Sequence, residues 1–303
     1  MNKDKYAPIV LFVYNRPYHL KKTINYLKKN TLAKKSKLII FSDGPKAIKD
    51  ADNVKKVRIY IRNIKGFNNV EIIEREKNFG LSKNIISGVT QVFKDYEKAI
   101  ILEDDILVEK NFLTFMNEGL RLYAKKKLVA SIHGYVYPLT LTDQNTRYFF
   151  IKGADCWGWA TWKRAWLVFE KNGEKLKKII DKKKLSREFN FNNSYDYYKM
   201  LNDQIKNKNN SWAIRWYASA FVNNMMTMYP SKSFVKNIGI DGTGTHGKSS
   251  KIVNLNKFIS KNYLSIKSQK VKIEENIMMR KKFENYFRKN SENFIVRTLK
   301  KYF

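Results

Sequence analysis

The sequence predicts an α/β fold, a doubly wound and mostly parallel sheet flanked by helices, followed by a basic helical C-terminal tail. Three observations carry that expectation. Short apolar runs alternate with helix-like segments through the first 128 positions, the pattern of strands joined by helical crossovers. The runs are continuously apolar rather than alternating, as strands buried on both faces require. Turn formers punctuate them: Asn15-Arg16-Pro17, Ser42-Asp43-Gly44-Pro45 and Asn78-Phe79-Gly80.

Taken in order, residues 9–14 read as the first strand, and a helix follows through Leu20, Ile24 and Leu27. Residues 38–41 form the second strand, with a helical segment to about position 64. Residues 70–73 are the third, leading into a helix with Leu81, Ile85, Val89 and Phe93 at four-residue spacing. Residues 99–102 are the fourth, and 112–123 are again helical in period. From position 129 the pattern changes to aromatic clusters, among them Trp157, Trp159 and Trp162. No Pro/Gly/Ser-rich linker separates the two parts, so 1–247 reads as one domain with halves 1–128 and 129–247. Residues 248–303 form the tail. At its end Ile295, Leu299 and Phe303 recur every four residues with Arg297, Lys300 and Lys301 between them. Two accounts fit: an amphipathic helix lying on anionic lipid, or a helix docked on its own domain.

Composition narrows the function classes. The 303 residues carry 60 Lys+Arg against 27 Asp+Glu, a formal charge of +33. Nucleic-acid binding, attraction to an anionic membrane and simple compositional drift all produce such a charge. Lysine is spread along the whole chain without a recognisable nucleic-acid-binding motif, so no specific nucleic-acid partner is expected. One cysteine, Cys156, excludes an intrachain disulfide framework, and three histidines argue against a multi-histidine metal site. The polar start lacks a secretory signal, and no apolar stretch approaches the ~18–20 residues of a spanning helix. The expected location is cytoplasmic, peripheral at the inner face of the membrane if the tail binds lipid.

In this basic background the fourth apolar run ends in Glu103-Asp104-Asp105. Three adjacent carboxylates at a strand end repel one another and are costly to desolvate unless a cation shares them. A hard divalent ion, Mn²⁺ or Mg²⁺, held by carboxylate oxygens and shared with a phosphate accounts for them. A solvated acidic turn is the competing account. In doubly wound sheets ligands bind beyond the carboxyl ends of the strands, where Arg16, Asp43 and the triplet all fall.

Four segments in register, residues 8–17, Phe41-Ser42-Asp43-Gly44-Pro45, Asn78-Phe79-Gly80-Leu81 and Leu102-Glu103-Asp104-Asp105, resemble the nucleotide-sugar glycosyltransferases of the GT-A fold. The likeness is to bacterial sugar transferases similar to the N-acetylglucosaminyltransferase I type and to family 2-like transferases, and it spans about positions 8–246. It implies that Asp105 binds the metal, that Glu103 and Asp104 contact the ribose or the metal's water shell, and that Arg16 and Asp43 hold the nucleoside. The histidine that some family members carry before the metal motif has no counterpart in 78–89, so that contact is either absent or replaced, with Asn84 the candidate replacement. The late segment 239–247 is glycine-rich. The resemblance implies a late loop that folds over the donor, in which His246 reaches the metal or the diphosphate or else is a loop histidine without function, with Lys248 a weaker candidate for the phosphate.

The implied reaction displaces a nucleoside diphosphate from an anomeric carbon, and an inverting enzyme also needs a carboxylate to deprotonate the acceptor. Asp203 is the first candidate, because it precedes the aromatic segment 212–217 where the family places its base. Asp155 is the second, with Asp196 behind it. Trp157 and Trp159 are candidates to stack an acceptor sugar. The expected donor is a UDP-sugar, and the expected acceptor a glycan or lipid-linked glycan of lipopolysaccharide or capsule. Two other readings stand beside this one: a sugar nucleotidyltransferase, and a non-enzymatic binder of nucleic acid or anionic lipid.

Overall fold

The computed structural model describes residues 5–139, 146–239, 265–268 and 271–299, with side chains as far as residue 290. Strands β1 (Ile9–Val13), β2 (Lys37–Ser42), β3 (Asn69–Glu74) and β4 (Lys98–Glu103) alternate with helices α1 (Pro17–Lys28), α2 (Ile48–Arg62) and α3 (Gly80–Asp95). Each predicted strand of the first half is present, within a residue or so at each end. The central runs are apolar throughout because both faces are covered: all five residues of β1 are buried. Pro17 opens α1, where its fixed φ suits the first turn and its missing N–H costs nothing.

The rest of the chain adds β5 (Ile106–Val108), α4 (Phe112–Leu122), β6 (Val129–His133), β7 (Tyr148–Lys152), β8 (Trp159–Trp162), and the short α5 (Lys163–Trp166). Helices α6 (Gly173–Lys182), α7 (Ser186–Phe189), α8 (Tyr197–Ile205) and α9 (Trp212–Val222) precede β9 (Met226–Pro230) and β10 (Val235–Asn237), and α10 (Ile277–Leu299) comes last. The main sheet has the order β3-β2-β1-β4-β8-β6-β9-β7. Strands β1 to β4 run parallel, and β6 and β9 are parallel to each other. Strand β8 runs antiparallel to both β4 and β6, and β7 antiparallel to β9. The result is a mixed, mostly parallel sheet flanked by helices.

Register sets the site. Phe12 lies level with Phe41 on one side and Glu103 on the other, so β1, β2 and β4 end on one edge. Because β8 is antiparallel, its first residue, Trp159, pairs with Ile101 and His133 near that same edge. The loop before β8 is thereby delivered to the acidic triplet. Beyond the triplet, β5 pairs with β10 in a separate two-stranded ribbon, Ile106 opposite Asn237.

Apolar packing forms two clusters, one around the sheet and a second between β7, helices α6 to α9, and α10. Met279, Phe283 and Phe287, four residues apart on α10, are buried in the second cluster. Arg280 beside them donates to Glu275 at 2.8 Å and to the Glu188 carbonyl at 2.6 Å. Of the two accounts of the tail, docking describes α10 as far as residue 290. The side chains of Ile295, Leu299 and Phe303 lie outside the described residues. No helix among the described residues is long and apolar enough to cross a membrane.

Candidate functional site

The site is built where β1 and β4 end side by side. Arg16, in the turn between β1 and α1, donates through one nitrogen, Nη2, to Asp104 Oδ1 at 2.7 Å and to Asp105 Oδ2 at 2.8 Å. The Tyr14 amide donates to the other Asp104 oxygen at 3.3 Å, and the Thr23 hydroxyl donates to the Asp104 carbonyl at 2.8 Å. Asp104 is 3% exposed and both its carboxylate oxygens are engaged. It is therefore the anchor that fastens β4 to the first turn of the chain.

Charge in this corner is only partly balanced. Burial opposes the charge on Arg16, but Asp104 and Asp105 outweigh it and raise its pKa. Burial pushes Asp104 up to about 6 even though Arg16 pulls it down. Glu103 is raised to about 8, by desolvation first and then by Asp105 and Asp104. One guanidinium thus serves three carboxyls.

Among the described residues no group of three His, Cys, Asp or Glu side chains is arranged to hold a metal ion by itself. The donor set nonetheless fits a hard divalent cation shared with a ligand. Magnesium-type sites usually use one or two carboxylates and complete their shell with water and substrate phosphate. Asp105, on the turn, and Glu103, whose carboxyl lacks a compensating charge of its own, supply oxygen ligands of that kind.

Chain from the far end of the sequence packs on this corner at Gly239, the first residue of the glycine-rich segment, through a contact with Asp105 that sequence reasoning did not foresee. After β10 the Ile238 amide donates to the Asp105 carbonyl at 2.9 Å, and the Gly239 amide to Asn237 Oδ1 at 2.7 Å. A Cβ on Gly239 would collide with Asp105 Oδ2 and lie 2.7 Å from Arg16 Nη1. Glycine is required because backbone, not side chain, packs on the carboxylate. The Gly-rich composition of 239–247 was the available signal. His246 and Lys248 lie outside the described residues.

Asp43 does local work. Its two oxygens accept from the Gly44, Phe79 and Gly80 amides at 2.8–3.0 Å and from Asn78 Nδ2 at 3.2 Å. The carboxylate satisfies free N–H groups at the start of α3 and ties the ends of β2 and β3 together. Asn84 is buried within α3 and accepts from Arg75 Nε at 3.4 Å.

The two candidate bases separate clearly. Asp155 lies in the loop entering β8. Its Oδ1 accepts from the Cys156 amide at 2.8 Å, and its Oδ2 accepts from the Tyr229 hydroxyl at 3.3 Å. Burial first, and then Asp155, Glu103 and Asp105, drive the Cys156 thiol pKa well up. The register does the placing: Trp159 pairs with Ile101 in antiparallel, so the loop before it runs beside the end of β4. His133, fully buried and lowered in pKa by that burial, accepts the Trp157 amide at its Nε2 at 3.0 Å and fixes the loop. Asp203 instead sits on α8 and pairs with Lys199 at 2.5 Å, which holds it below the usual carboxylate range. Among the described contacts, none links Asp203 to the triplet. Asp196 caps α8 by accepting from the Lys199 amide at 2.9 Å.

The tryptophans separate too. Trp157 is half-buried, beside Tyr135 with centroids 4.8 Å apart. Trp159, expected to stack an acceptor sugar, is 1% exposed. It packs between Trp166, Trp212 and Trp216 on the β8 side facing the core. Because β8 is an interior strand of the sheet and the Trp212 and Trp216 rings of α9 pack over it, Trp159 has no surface to offer.

No family model and no curated protein sequence matches this chain. Similarity appears in solved structures. The chain is similar to TarS of S. aureus (TM-score 0.44, 11% identity, 78% of this chain and 37% of that one). It is similar also to the mannosyltransferase PcManGT from Pyrobaculum calidifontis in complex with GDP-Man and Mn²⁺ (TM-score 0.31, 12% identity, 44% and 37%). A third is the galactosyltransferase LgtC in complex with donor and acceptor sugar analogs (TM-score 0.32, 12% identity, 55% and 63%). The chain spans less than two thirds of the length of each of these three proteins.

Proposed function

We propose that the chain is a metal-dependent glycosyltransferase of GT-A type that moves a sugar from a nucleotide-sugar, a UDP-sugar, onto a glycan acceptor of a bacterial cell surface. The observation that carries this reading is the corner itself: Arg16, Asp104, Asp105 and the Gly239 backbone packed together at the carboxyl edge of parallel strands, with Glu103 beside them. That is where a doubly wound sheet takes its ligand. A non-enzymatic binder of anions would gain nothing from three carboxyls there.

In this reading Asp105 and Glu103 hold a divalent cation, Mn²⁺ or Mg²⁺, which when bound neutralises charge developing on the leaving diphosphate. Asp104 stays on Arg16 and keeps the turn rigid. Asp43 acts through the loop it organises, holding residues 78–80 at the nucleoside side. Asp155 is the base in this reading: its loop, which also carries Trp157, leads into β8 beside the end of β4, and it receives the proton of the acceptor hydroxyl. Trp157 offers a ring face to the acceptor.

The experiment is thermal unfolding of the full chain with UDP, GDP and CDP, each with and without Mn²⁺. A ligand that binds only the folded state raises its stability. Stabilisation by UDP that requires Mn²⁺ supports the proposal. If no nucleoside diphosphate has an effect and single-stranded DNA gives a salt-sensitive shift instead, the proposal fails.

A further inference from the structure

Six residues outside the acidic corner form a connected run of aromatic rings, four of them partly exposed, that the proposed chemistry does not use in full. Trp157 meets Tyr135 at 4.8 Å, and Tyr135 meets Tyr137 at 5.4 Å. Tyr137 meets Tyr286 of α10 at 5.2 Å and Phe287 at 5.0 Å. Phe287 meets Tyr195 at 5.2 Å. Trp157, Tyr137 and Tyr286 are half-buried and Tyr195 is 39% exposed, while Tyr135 and Phe287 are buried beneath them, so the run has an open side on the first four only. At its inner end stands Asp155, two residues before Trp157, with one oxygen 3.8 Å from His133 Nε2, and His133 in turn meets Tyr135 edge-on at 6.2 Å.

We propose that this run, from Asp155 and Trp157 across Tyr135 and Tyr137 to Tyr286 and Tyr195, is a track that binds the acceptor as an oligosaccharide several sugars long. The C-terminal helix α10 supplies its outer wall. This rests on the glycosyltransferase reading and extends it, since the track starts at the residue assigned as base.

The chemistry of the surface selects the occupant. Tyrosine presents an apolar ring face with a hydroxyl tip, which matches a sugar's C–H face and its ring of hydroxyls. The named residues bring aromatic rings and one carboxylate, in a chain with 60 Lys+Arg against 27 Asp+Glu. A track meant for phosphates or nucleic acid would draw on that abundant lysine and would not place Asp155 at its head. The aromatic contacts also explain why α10 is fastened so firmly: the Arg280 pairs with Glu275 and Glu284 hold the helix that carries Tyr286.

The test is binding of the full-length chain to an array of neutral oligosaccharides, at a salt concentration that screens its surface charge. Wild type is compared with Tyr286→Ala, Tyr195→Ala and Tyr286→Phe, and the Mn²⁺-dependent UDP shift is measured on each. The expected result is retention of oligosaccharides by the wild type, with each alanine variant weakened about five- to tenfold. Tyr286→Phe should keep most of the binding, because the ring remains, and all four proteins should keep the UDP response. Equal binding by wild type and both alanine variants overturns the track, as does binding of no oligosaccharide by a wild type that still responds to UDP. Loss of the UDP response in the wild type itself overturns the glycosyltransferase reading instead.

Discussion

The Gly239 backbone lies so close on the Asp105 carboxylate that a single added carbon would collide with Oδ2. The contact joins the second half of the chain to the strand-end acids of the first. Gly239→Ala is expected to push Asp105 and Arg16 apart and to abolish Mn²⁺-dependent stabilisation by UDP. The melting temperature without ligand should fall by only a few degrees, since the residue ends a short ribbon outside the main sheet. Paired thermal scans with and without UDP and Mn²⁺ check it; a variant that keeps the full UDP shift would remove this contact from the site.

Arg16 is the only cation drawn to Asp104 and Asp105 among the described ion pairs. Removing one partner of a buried pair leaves an uncompensated charge, at a cost of about 3–5 kcal/mol. Arg16→Met should therefore destabilise the chain by about that amount at pH 7.5, and by less at pH 5, where Asp104 takes up its proton. Urea unfolding at the two pH values measures it. Equal destabilisation at both would mean that the loss is one of packing rather than charge.

The same corner sets a pH dependence. Glu103 takes up its proton at about 8 in the folded chain, against an ordinary value of 4.5. Between those values the folded state holds a proton that the unfolded state has lost, so unfolding releases it and stability falls as pH rises. Below about 4.5 both states are protonated and the contribution is fully present. In the presence of a chelator the melting temperature should decline from pH 5 to 8.5, and Glu103→Gln should flatten that decline. Added Mn²⁺ should stabilise more at pH 8 than at pH 6, because its ligands must be deprotonated.

How far the sequence discloses this molecule depends on the range of the contacts. Strands β1 to β4 and the acidic end of β4 were legible because buried parallel strands announce themselves as continuous apolar runs closed by turn residues. Arg16 could be placed on the same edge as the triplet for that reason alone, though not its bridging of Asp104 and Asp105. The burial of Trp159 was not legible, since it follows from β8 lying inside the sheet between β4 and β6, a pairing across some sixty positions. Local pattern likewise favoured Asp203, near an aromatic segment; that the loop carrying Asp155 runs beside the end of β4 follows from the same long-range β8 pairing. Gly239 meets Asp105 across more than a hundred residues and α10 meets the sheet across fifty or more, separations that no window of sequence contains.

The docking of α10 carries its own prediction. Phe283 is 1% exposed and packs against Phe149 and Tyr229 from the outer strands of the sheet. Replacing a buried phenylalanine by alanine costs about 3–5 kcal/mol, because the lost transfer energy adds to that of the cavity left behind. Phe283→Ala should therefore lower the urea midpoint markedly, while exposed Lys281→Ala on the same helix should leave it within about 0.5 kcal/mol. A small effect at Phe283 would show that the helix unfolds separately from the sheet. A large one, in a single transition, would make α10 part of the cooperative unit that carries the acidic corner.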